Sequence, residues 1–381
     1  LPPGWLAGGK AGTARLPGWS DPQTGAWLEN VNQVGITAGN QAWALLALLH
    51  CYEASGRAES AYLDAAQEMG EWLETHCRSE AGAGGYTAGY DGWEPAPLKL
   101  TYKSTEHAVD IYAAFTWLHR LLPGDTKWAA RAAHAQAFIA AMYDSQAGRF
   151  WTGTEDDGVT LNTSVFVLDC QVWPLLALGS AGAAYSPALT YAGGTMRAAA
   201  GYAFGAFDTH GAWSEGTAFT ALACGLSGDA ASEQALLTFL ANGRDASGGL
   251  FATDVPSLAT GIFTSDGLPW IYYRRLHAAP TAWFVCAARR VNPYADFVAP
   301  VQPRLRAVTG TVFTNALPEV FADAEKITVK GLPAGLKYNA VTRLIEGVPS
   351  KAGEYTVVIS ATGVEPEPVT ITVEALPAWA Q

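Results

Sequence analysis

An aromatic residue opens a run of small apolar residues at five places along this chain of 381 residues. The five aromatic residues recur 69, 61, 46 and 64 residues apart, a spacing that fits one helical hairpin followed by a long loop. Recurrence on this scale predicts an array or toroid of helical hairpins, because each hairpin has to bury its apolar face against its neighbours. The runs begin at Trp43, Tyr112, Trp173, Phe219 and Trp283.

The helical spacing of apolar residues predicts four helix pairs and a final single helix. Short turns within the pairs alternate with long loops between them, so we expect the long loops to emerge at one end of the array. Residues 247–279 show no helical period and are predicted to be an irregular connection. The predicted helices span residues 41–53, 58–76, 106–122, 125–143, 168–178, 187–201, 215–226, 230–242 and 281–291.

The character of the chain changes near its C-terminus. From about Val308, Val, Thr and Ile alternate between Gly and Pro turns, which predicts a small β-sandwich. We therefore predict a helical domain at residues 1–297, a linker at 298–307 and a β-sandwich at 308–381. Residues 1–35 are rich in Gly, Pro and Trp and are predicted to form an ordered loop or arm.

Polar residues cluster just before or at the start of the aromatic runs. Because the runs are repeats of one unit, these polar side chains are expected at the same end of the helices, where they would share one polar pocket. The residues concerned are Asn40, Gln41, Glu106, His107, Asp169, Gln171 and Glu215.

Composition narrows the classes of ligand. The formal net charge of -12 argues against nucleic acid, which is bound through basic patches, and makes a strongly acidic polymer a poor ligand. The 14 Trp, 15 Tyr and 14 Phe either fill the core or line a cleft that stacks sugar rings. No apolar run reaches the roughly 18 residues that a bilayer requires. A chain that starts at Leu1 without a signal peptide resembles a mature secreted protein, extracellular, at the cell surface or in the periplasm.

Neither a metal nor a cofactor is expected. The five cysteines show no CxxC spacing, Cys51 and Cys77 are too far apart along one hairpin to pair, and the other three sit among Ala and Leu as small core residues. The acidic segment 154–158 departs from the calcium-loop pattern and is predicted to be a solvated turn. The glycines at 81–85 have no P-loop lysine at the required offset.

The C-terminal segment resembles the immunoglobulin-like domain found in bacterial surface and secreted proteins. The resemblance rests on "GLPAGLKYNAVTRLIEGVPSKAGEYTVVISATG", residues 331–363, and covers most of residues 308–376. It implies a spacer or contact module rather than a catalytic one.

The helical part is similar to the six-hairpin, (α/α)6-toroid glycosidase-like superfamily over about residues 30–294, which implies a carbohydrate-active enzyme. Nine predicted helices fall short of twelve, so we expect either that a hairpin upstream is missing or that the toroid is incomplete. An incomplete toroid would expose apolar faces for a second copy or an upstream fragment to cover. The resemblance lies in segments 37–49, 103–115, 168–179, 213–223 and 277–294.

A glycosidase of this kind uses one protonated carboxyl as general acid and one carboxylate to activate water or attack the sugar. The best candidates are Glu106, Asp169 and Glu215, with Asp110 as a supporting residue on the same helical face as Glu106. Acids in a first helical turn also complement the helix dipole without any catalysis, so a structural role is the competing interpretation. The candidate sugar contacts are Trp43, Tyr102, Lys103, His107, Asp110, Trp173, Trp213, Trp270 and Tyr272.

Three hypotheses about function follow. The first is a secreted glycoside hydrolase acting on a polysaccharide or oligosaccharide. The second is a polysaccharide lyase, in which Tyr102, His107, His277 and Arg274 would supply a base and a cation. The third is a non-catalytic glycan-binding or structural protein in an extracellular assembly. The carboxylate set and the acidic balance favour hydrolysis.

Overall fold

The computed structural model describes residues 18–20, 27–29, 35–92, 97–263, 267–294, 304–317, 321, 324–362 and 364–376. The chain forms two compact units, Leu1–Asp296 and Phe297–Gln381. Most of the arm predicted at residues 1–35 lies outside the described residues, which there comprise two short paired strands, β1 (Gly18–Ser20) and β2 (Trp27–Glu29), and Gly35.

The described part of the first unit contains nine α-helices, and they occupy the nine predicted positions. Three helices begin at side chains that accept a hydrogen bond from a free backbone N–H of the first turn: Thr37, Ser104 and Asp229. The helices are α1 (Ala38–Ala54), α2 (Ser60–Cys77), α3 (Thr105–Leu121), α4 (Lys127–Ala141), α5 (Leu168–Ala177), α6 (Pro187–Thr195), α7 (Ser214–Ser227), α8 (Ala230–Asn242) and α9 (Ala278–Arg289).

The odd-numbered helices form an inner layer and the even-numbered helices an outer layer. Each odd helix contacts the next odd helix, from α1 through to α9, and each of the first four also packs against the even helix that follows it. The inner helix α5 is buried almost all round, and every residue from Leu168 to Pro174 is buried. The outer helix α2 buries only a narrow stripe, as expected of a helix with one face in solvent.

Aromatic rings from several inner helices pack together at the centre of the inner layer. Trp43 of α1 contacts Trp283 of α9 with ring centroids 5.7 Å apart, so side chains of the first and last inner helices touch there. Trp173, Phe219 and Tyr294 complete this aromatic core, with centroid distances between 5.0 and 6.3 Å. Four of the five aromatic residues that open the repeated runs therefore pack against one another. The predicted toroid is confirmed, with five inner and four outer helices in the described residues.

Short antiparallel strand pairs lie in the connections between the helices. The prediction of an irregular connection at residues 247–279 is wrong, because this segment contains four strands, and its two inner strands form a hairpin that pairs Leu258 with Tyr272. The predicted sixth helix ends early, at Thr195, where the chain turns into another strand pair. The strands are β3 (Ile36–Thr37), β4 (Gly89–Asp91), β5 (Leu98–Leu100), β6 (Tyr143–Asp144), β7 (Arg149–Phe150), β8 (Arg197–Ala198), β9 (Gly201–Tyr202), β10 (Leu250–Phe251), β11 (Ser257–Phe263), β12 (Pro269–Tyr273) and β13 (Leu276–His277).

The second unit is a β-sandwich of two sheets, which confirms the predicted fold. One sheet has the order β14-β20-β19-β16, with β14 parallel to β20, and the other has the order β15-β18-β17. Its core includes Phe321, Val357, Ile359 and Ile371. The strands are β14 (Arg304–Val308), β15 (Phe313–Ala316), β16 (Thr328–Lys330), β17 (Leu336–Asn339), β18 (Leu344–Gly347), β19 (Gly353–Ala361) and β20 (Val364–Glu374).

The boundary of this unit differs from the sequence-based expectation in one respect. Strand β14 begins at Arg304, inside the segment predicted to be a linker, because it pairs with β20, where Arg304 lies opposite Thr370. Residues 298–303 of the predicted linker lie outside the described residues.

Two further features concern the environment of the chain. All five cysteines are free thiols; Cys77, Cys170 and Cys224 are buried, while Cys286 is partly exposed. Among the described residues, no helix combines the length and the apolar composition that a membrane crossing requires.

Candidate active site

Three acidic residues occupy the same position in three neighbouring inner helices. Glu106 is the second residue of α3, Asp169 the second of α5 and Glu215 the second of α7. Because these helices are adjacent and run in the same direction, equal register brings the three side chains to the same end of the toroid. Asp169 is buried, and Glu106 and Glu215 are partly exposed.

The charges of these carboxyls raise one another's pKa values. Burial raises the pKa of Glu106 well above its ordinary value, and the charges of Asp169, Asp110 and Glu215 raise it further. Burial also raises the pKa of Glu215 to about 8, with a contribution from the Asp169 charge. The four acids therefore repel one another in a region from which water is largely excluded.

Among the three catalytic candidates, Asp169 has the lowest pKa. Burial raises its pKa to about 6, and hydrogen bonds from Cys170 oppose the rise. The backbone N–H of Cys170 donates to Asp169 Oδ1 over 2.5 Å. At neutral pH the site thus pairs an ionised Asp169 with a protonated Glu215, the division of roles that an acid and a base require.

Asp110 lies one turn deeper in α3 and is fully buried. The hydroxyl of Tyr294 donates to Asp110 Oδ1 over 2.7 Å. Burial raises the pKa of Asp110, and the hydrogen bond from Tyr294 opposes this rise. This arrangement agrees with a supporting role for Asp110, although sequence analysis did not identify Tyr294, which is 184 residues away.

Tyrosine and tryptophan side chains from the loops surround the acids. Burial raises the pKa of Tyr272, and so do the charges of Glu215, Asp169 and Glu106, which places this phenol beside the carboxyls. Trp213 lies against Tyr272 with ring centroids 5.6 Å apart.

Two more of the predicted sugar contacts lie beside this group. Trp270 is 45% exposed, and its side chain hydrogen-bonds with Tyr272. Burial raises the pKa of Tyr102 to about 12, with a contribution from the Glu106 charge. The structure therefore brings Tyr102, Trp213, Trp270 and Tyr272 together around the acids.

Trp43 and Trp173 belong to the aromatic core rather than to the group of rings that borders the acids. Trp173 is 5% exposed and lies between Phe219 and Trp283. Trp43 is partly exposed and contacts Tyr294, the hydrogen-bond partner of Asp110. Trp173 thus packs beneath the acids, whereas the Trp43 side chain also hydrogen-bonds to the Asp110 carboxyl and opposes the rise of its pKa.

Lys103 has a structural position that contradicts the prediction of a sugar contact. It is 1% exposed, and its ammonium donates to the carbonyls of Ala81 and Gly84 over 2.6 and 2.8 Å. A side chain that is buried and bound to a neighbouring loop in this way cannot reach a ligand. The buried Gln171 is structural as well, because its amide bonds both the N–H and the carbonyl of Phe150 over 2.9 Å.

His107 packs against α1 at the point where that helix has a glycine. A side chain at Gly39 would collide with the imidazole, so the glycine makes room for it. Burial lowers the pKa of His107 to about 4, and the ring is therefore neutral near pH 7. A neutral imidazole can orient a hydroxyl but provides no positive charge.

Of the four groups that a lyase would use, Tyr102 lies beside Glu106 and His107 packs against α1. Arg274 is exposed, and its guanidinium lies 4.0 Å from the centre of the Phe251 ring. His277 is exposed at the start of α9 and contacts Tyr272 with ring centroids 6.4 Å apart. In the described part of the chain, no Lys, Arg or His contributes to the pKa of the four acids, so nothing there marks a site for a uronate carboxylate.

No group of three or more His, Cys, Asp or Glu among the described residues is arranged to hold a metal ion. The acidic segment at 154–158 is a turn in which Asp157 accepts hydrogen bonds from the backbone of Val159 and Thr160. The solvated turn predicted there is confirmed.

The C-terminal part of the chain matches a known family. Residues 292–375 match the family model described as "Putative Ig domain". No curated protein matches the chain.

Several solved structures are similar to the helical unit. The GH76 α-mannanase of Bacteroides thetaiotaomicron is 12% identical with a TM-score of 0.46 over 70% of this chain and 72% of its own. The cellobiose 2-epimerase of Bacillus thermoamylovorans is 12% identical with a TM-score of 0.49 over 67% and 71%. A D-mannose isomerase is 14% identical with a TM-score of 0.49 over 70% and 73%.

Proposed function

We propose that this protein is a secreted glycoside hydrolase whose helical unit cleaves a polysaccharide or oligosaccharide. The observation that carries the proposal is the convergence of Glu106, Asp169 and Glu215 at equal register, with pKa values that separate an acid from a base. The immunoglobulin-like unit supports an extracellular or cell-surface location as a spacer or contact module.

In the proposed reaction Glu215 is the general acid and Asp169 the general base. Glu215 donates its proton to the glycosidic oxygen as the bond between that oxygen and the anomeric carbon breaks. Asp169 accepts a proton from a water molecule whose oxygen forms the new bond to the anomeric carbon. Glu106 stays protonated beside them and donates a hydrogen bond. Tyr272 and Trp270 hold the sugar ring by stacking.

The test is the release of products from a panel of neutral, amino and acidic polysaccharides across the pH range. Hydrolysis produces new reducing ends, and the rate should follow a bell with limbs near pH 6 and pH 8, where Asp169 gains and Glu215 loses its proton. Unsaturated uronate products would identify a lyase instead. Glycan binding without any turnover would favour the non-catalytic hypothesis.

A further inference from the structure

The loop between β9 and α7, residues 203–213 and here called the edge loop, runs along the free edge of β11. This edge is free because β11 belongs to a two-stranded sheet and pairs only with β12. Residues of the edge loop, read backwards from α7, contact successive residues of 253–261, so the two segments run antiparallel. The pairs in contact are Trp213 with Thr253, Gly211 with Val255, Asp208 with Ala259 and Phe207 with Gly261.

Backbone hydrogen bonds hold only the end of this contact that lies near α7. There the N–H of Asp254 donates to the carbonyl of Ala212 over 3.3 Å, and the N–H of Ala212 donates to the Asp254 carboxylate over 2.7 Å. Farther from α7, no backbone bond joins the two segments in the described residues, and a side chain provides the link. Oδ2 of Asp208 accepts from the edge N–H of Ala259 over 3.2 Å.

His210 holds the other oxygen of the same carboxylate. Its ring nitrogen Nδ1 lies 2.5 Å from Asp208 Oδ1, and its backbone N–H donates to that oxygen over 3.2 Å. The hydrogen bond with Asp208 raises the pKa of His210, and the Ser257 backbone and the Asp254 charge add to the rise. Burial acts to raise the pKa of Asp208, but hydrogen bonds from His210 and Ala259 lower it overall. The carboxylate is therefore ionised and bound at both oxygens.

The ring of Tyr272 lies against this edge loop. Tyr272 is on β12, directly opposite the residue that precedes Ala259. Phe204 and Trp213, near the two ends of the edge loop, contact the Tyr272 ring with centroid distances of 5.8 and 5.6 Å. Asp208 holds the paired strand between these two ring contacts. The position of the phenol beside the acids thus depends on how firmly the edge loop holds the hairpin.

We propose that Asp208 is a positioning residue for the candidate active site: together with His210 it fastens the hairpin β11–β12 to the edge loop and keeps the Tyr272 ring in place. Asp208 touches no sugar and transfers no proton. Its effect on catalysis rests on the proposed function, in which Tyr272 binds the sugar ring. The fastening itself exists in the free protein and is measured there without a ligand.

The fastening depends on pH with a defined sign. Because the folded protein raises the pKa of His210, the ion pair with Asp208 is complete below the ordinary histidine range and weakens as pH rises through the folded value. Asp169 and Glu215 titrate in an overlapping range. The effect is therefore assigned by comparison with His210→Gln, which removes the imidazolium and leaves both carboxyls of the site.

Amide hydrogen exchange of the full chain without ligand, followed by mass spectrometry, tests the fastening. Asp208→Ala should speed exchange in residues 257–263 and 269–273 by about tenfold, because opening of the hairpin no longer breaks a hydrogen bond to a charged group. Asp245→Ala is the matched control, since this loop carboxylate accepts only from Ser247 and Gly249 of its own turn. It should leave exchange in the hairpin unchanged, and exchange in the helices reports whether each variant is folded.

Asp208→Asn separates the two halves of the contact and serves if Asp208→Ala does not fold. An asparagine oxygen can accept from Ala259, but the side chain has no charge to pair with the imidazolium. Corrected for its intrinsic pH dependence, exchange in the hairpin should match that of the wild type at about pH 9 and exceed it at about pH 5.5. His210→Gln should behave in the same way. A role that is only structural and independent of the ion pair would show no such difference between the two pH values.

Kinetics link the fastening to the site. On a glycan that the protein hydrolyses, Asp208→Ala should raise KM by about fivefold and change kcat by less than about twofold, because stacking on Tyr272 binds the sugar without transferring a proton. A lower kcat at unchanged KM would overturn the positioning role. So would hairpin exchange that the Asp208 variants leave unaltered, or the same acceleration in Asp245→Ala. If no glycan is cleaved, the hydrolase proposal fails, and the exchange experiment alone decides whether Asp208 fastens the hairpin.

Discussion

Acidic residues in this protein fall into two groups that differ in their partners. On the outer helices, Glu71 accepts from Arg131 over 2.7 Å, and this hydrogen bond lowers its pKa. The buried Glu233 of α8 forms an ion pair with Arg290. On the inner helices, Glu106, Asp110, Asp169 and Glu215 have raised pKa values and no such partner among the described residues.

This difference separates acids that are paired within the fold from acids that we propose serve a site. A protein that only needs a carboxyl for structure places a basic group or a cap next to it, because an unpaired buried charge is costly. Keeping four carboxyls together without one lowers stability. Such an arrangement is typical of functional sites, where pKa values are shifted for a purpose.

The largest expected effect is a loss of activity when an acid without a basic partner is replaced. Asp169→Asn or Glu215→Gln should lower kcat by about 10²–10⁴-fold, since each removes one proton-transfer group. Neither change should lower the melting temperature, because each removes a carboxyl that has no basic partner and whose pKa is raised by burial. Glu59→Gln is the matched control, an exposed acid at the start of α2 whose side chain makes no capping hydrogen bond. Full activity in both site variants would contradict the assignment.

The pH dependence of stability sharpens the comparison. A carboxyl whose pKa is higher in the folded than in the unfolded state costs stability as pH rises from the unfolded value through the folded one. For Asp169 and Glu215 this interval runs from about 4 to 6 and from about 4.5 to 8.

The free energy of unfolding should therefore fall between pH 4 and pH 8, by about 3 kcal/mol for Asp169 and about 5 kcal/mol for Glu215. Denaturant melts across this range measure the slope. Asp169→Asn should flatten its lower part and Glu215→Gln its upper part, and Glu59→Gln should leave it unchanged. A wild-type free energy that does not fall over this interval would show that the acids are not strained by burial.

Disrupting a paired acid should lower stability and leave activity unchanged, the opposite of the result expected for Asp169 and Glu215. Arg290→Met leaves the buried Glu233 without its partner and should lower the free energy of unfolding by about 1–3 kcal/mol. The activity per folded molecule should not change, because α8 lies in the outer layer. Chemical denaturation and a rate assay on the same samples would decide. Unchanged stability would place Glu233 with the unpaired acids.

The smallest expected effect concerns the contact beneath the acids. Tyr294→Phe removes the hydrogen bond to Asp110, which should raise the pKa of Asp110 further and lower the free energy of unfolding by about 1 kcal/mol. The change in stability is measured by denaturant unfolding and the change in pKa by the carboxyl carbon shift in nuclear magnetic resonance. An unaltered titration of Asp110 would show that the hydrogen bond does not tune the cluster.

Local patterns carry much of this fold and part of its candidate site. The nine helices follow from apolar periodicity, and equal register of Glu106, Asp169 and Glu215 follows from where each lies relative to its helix start. The partners of these acids do not. Tyr294 reaches Asp110 across 184 residues, and β10 pairs with β13 across the hairpin β11–β12, so no local window contains either contact.

Lys103 shows why residue type alone misleads. A lysine next to a predicted site is a plausible sugar contact, but its direction depends on loop carbonyls at Ala81 and Gly84 that the sequence does not mark. Trp43 and Trp173 show the same for aromatic residues. Ring packing at the axis of the toroid, rather than composition, decides which aromatic residues lie in the core and which lie beside the acids.

By itself the sequence determined the elements of this protein: repeated helices, acids in their first turns and an alternating C-terminal sandwich, because each depends on spacing along a short stretch of chain. Only the tertiary structure decided which acids lack a basic partner, which rings border them and which lysine is committed elsewhere. Those properties depend on burial and on contacts between distant segments, and both arise only when the toroid closes.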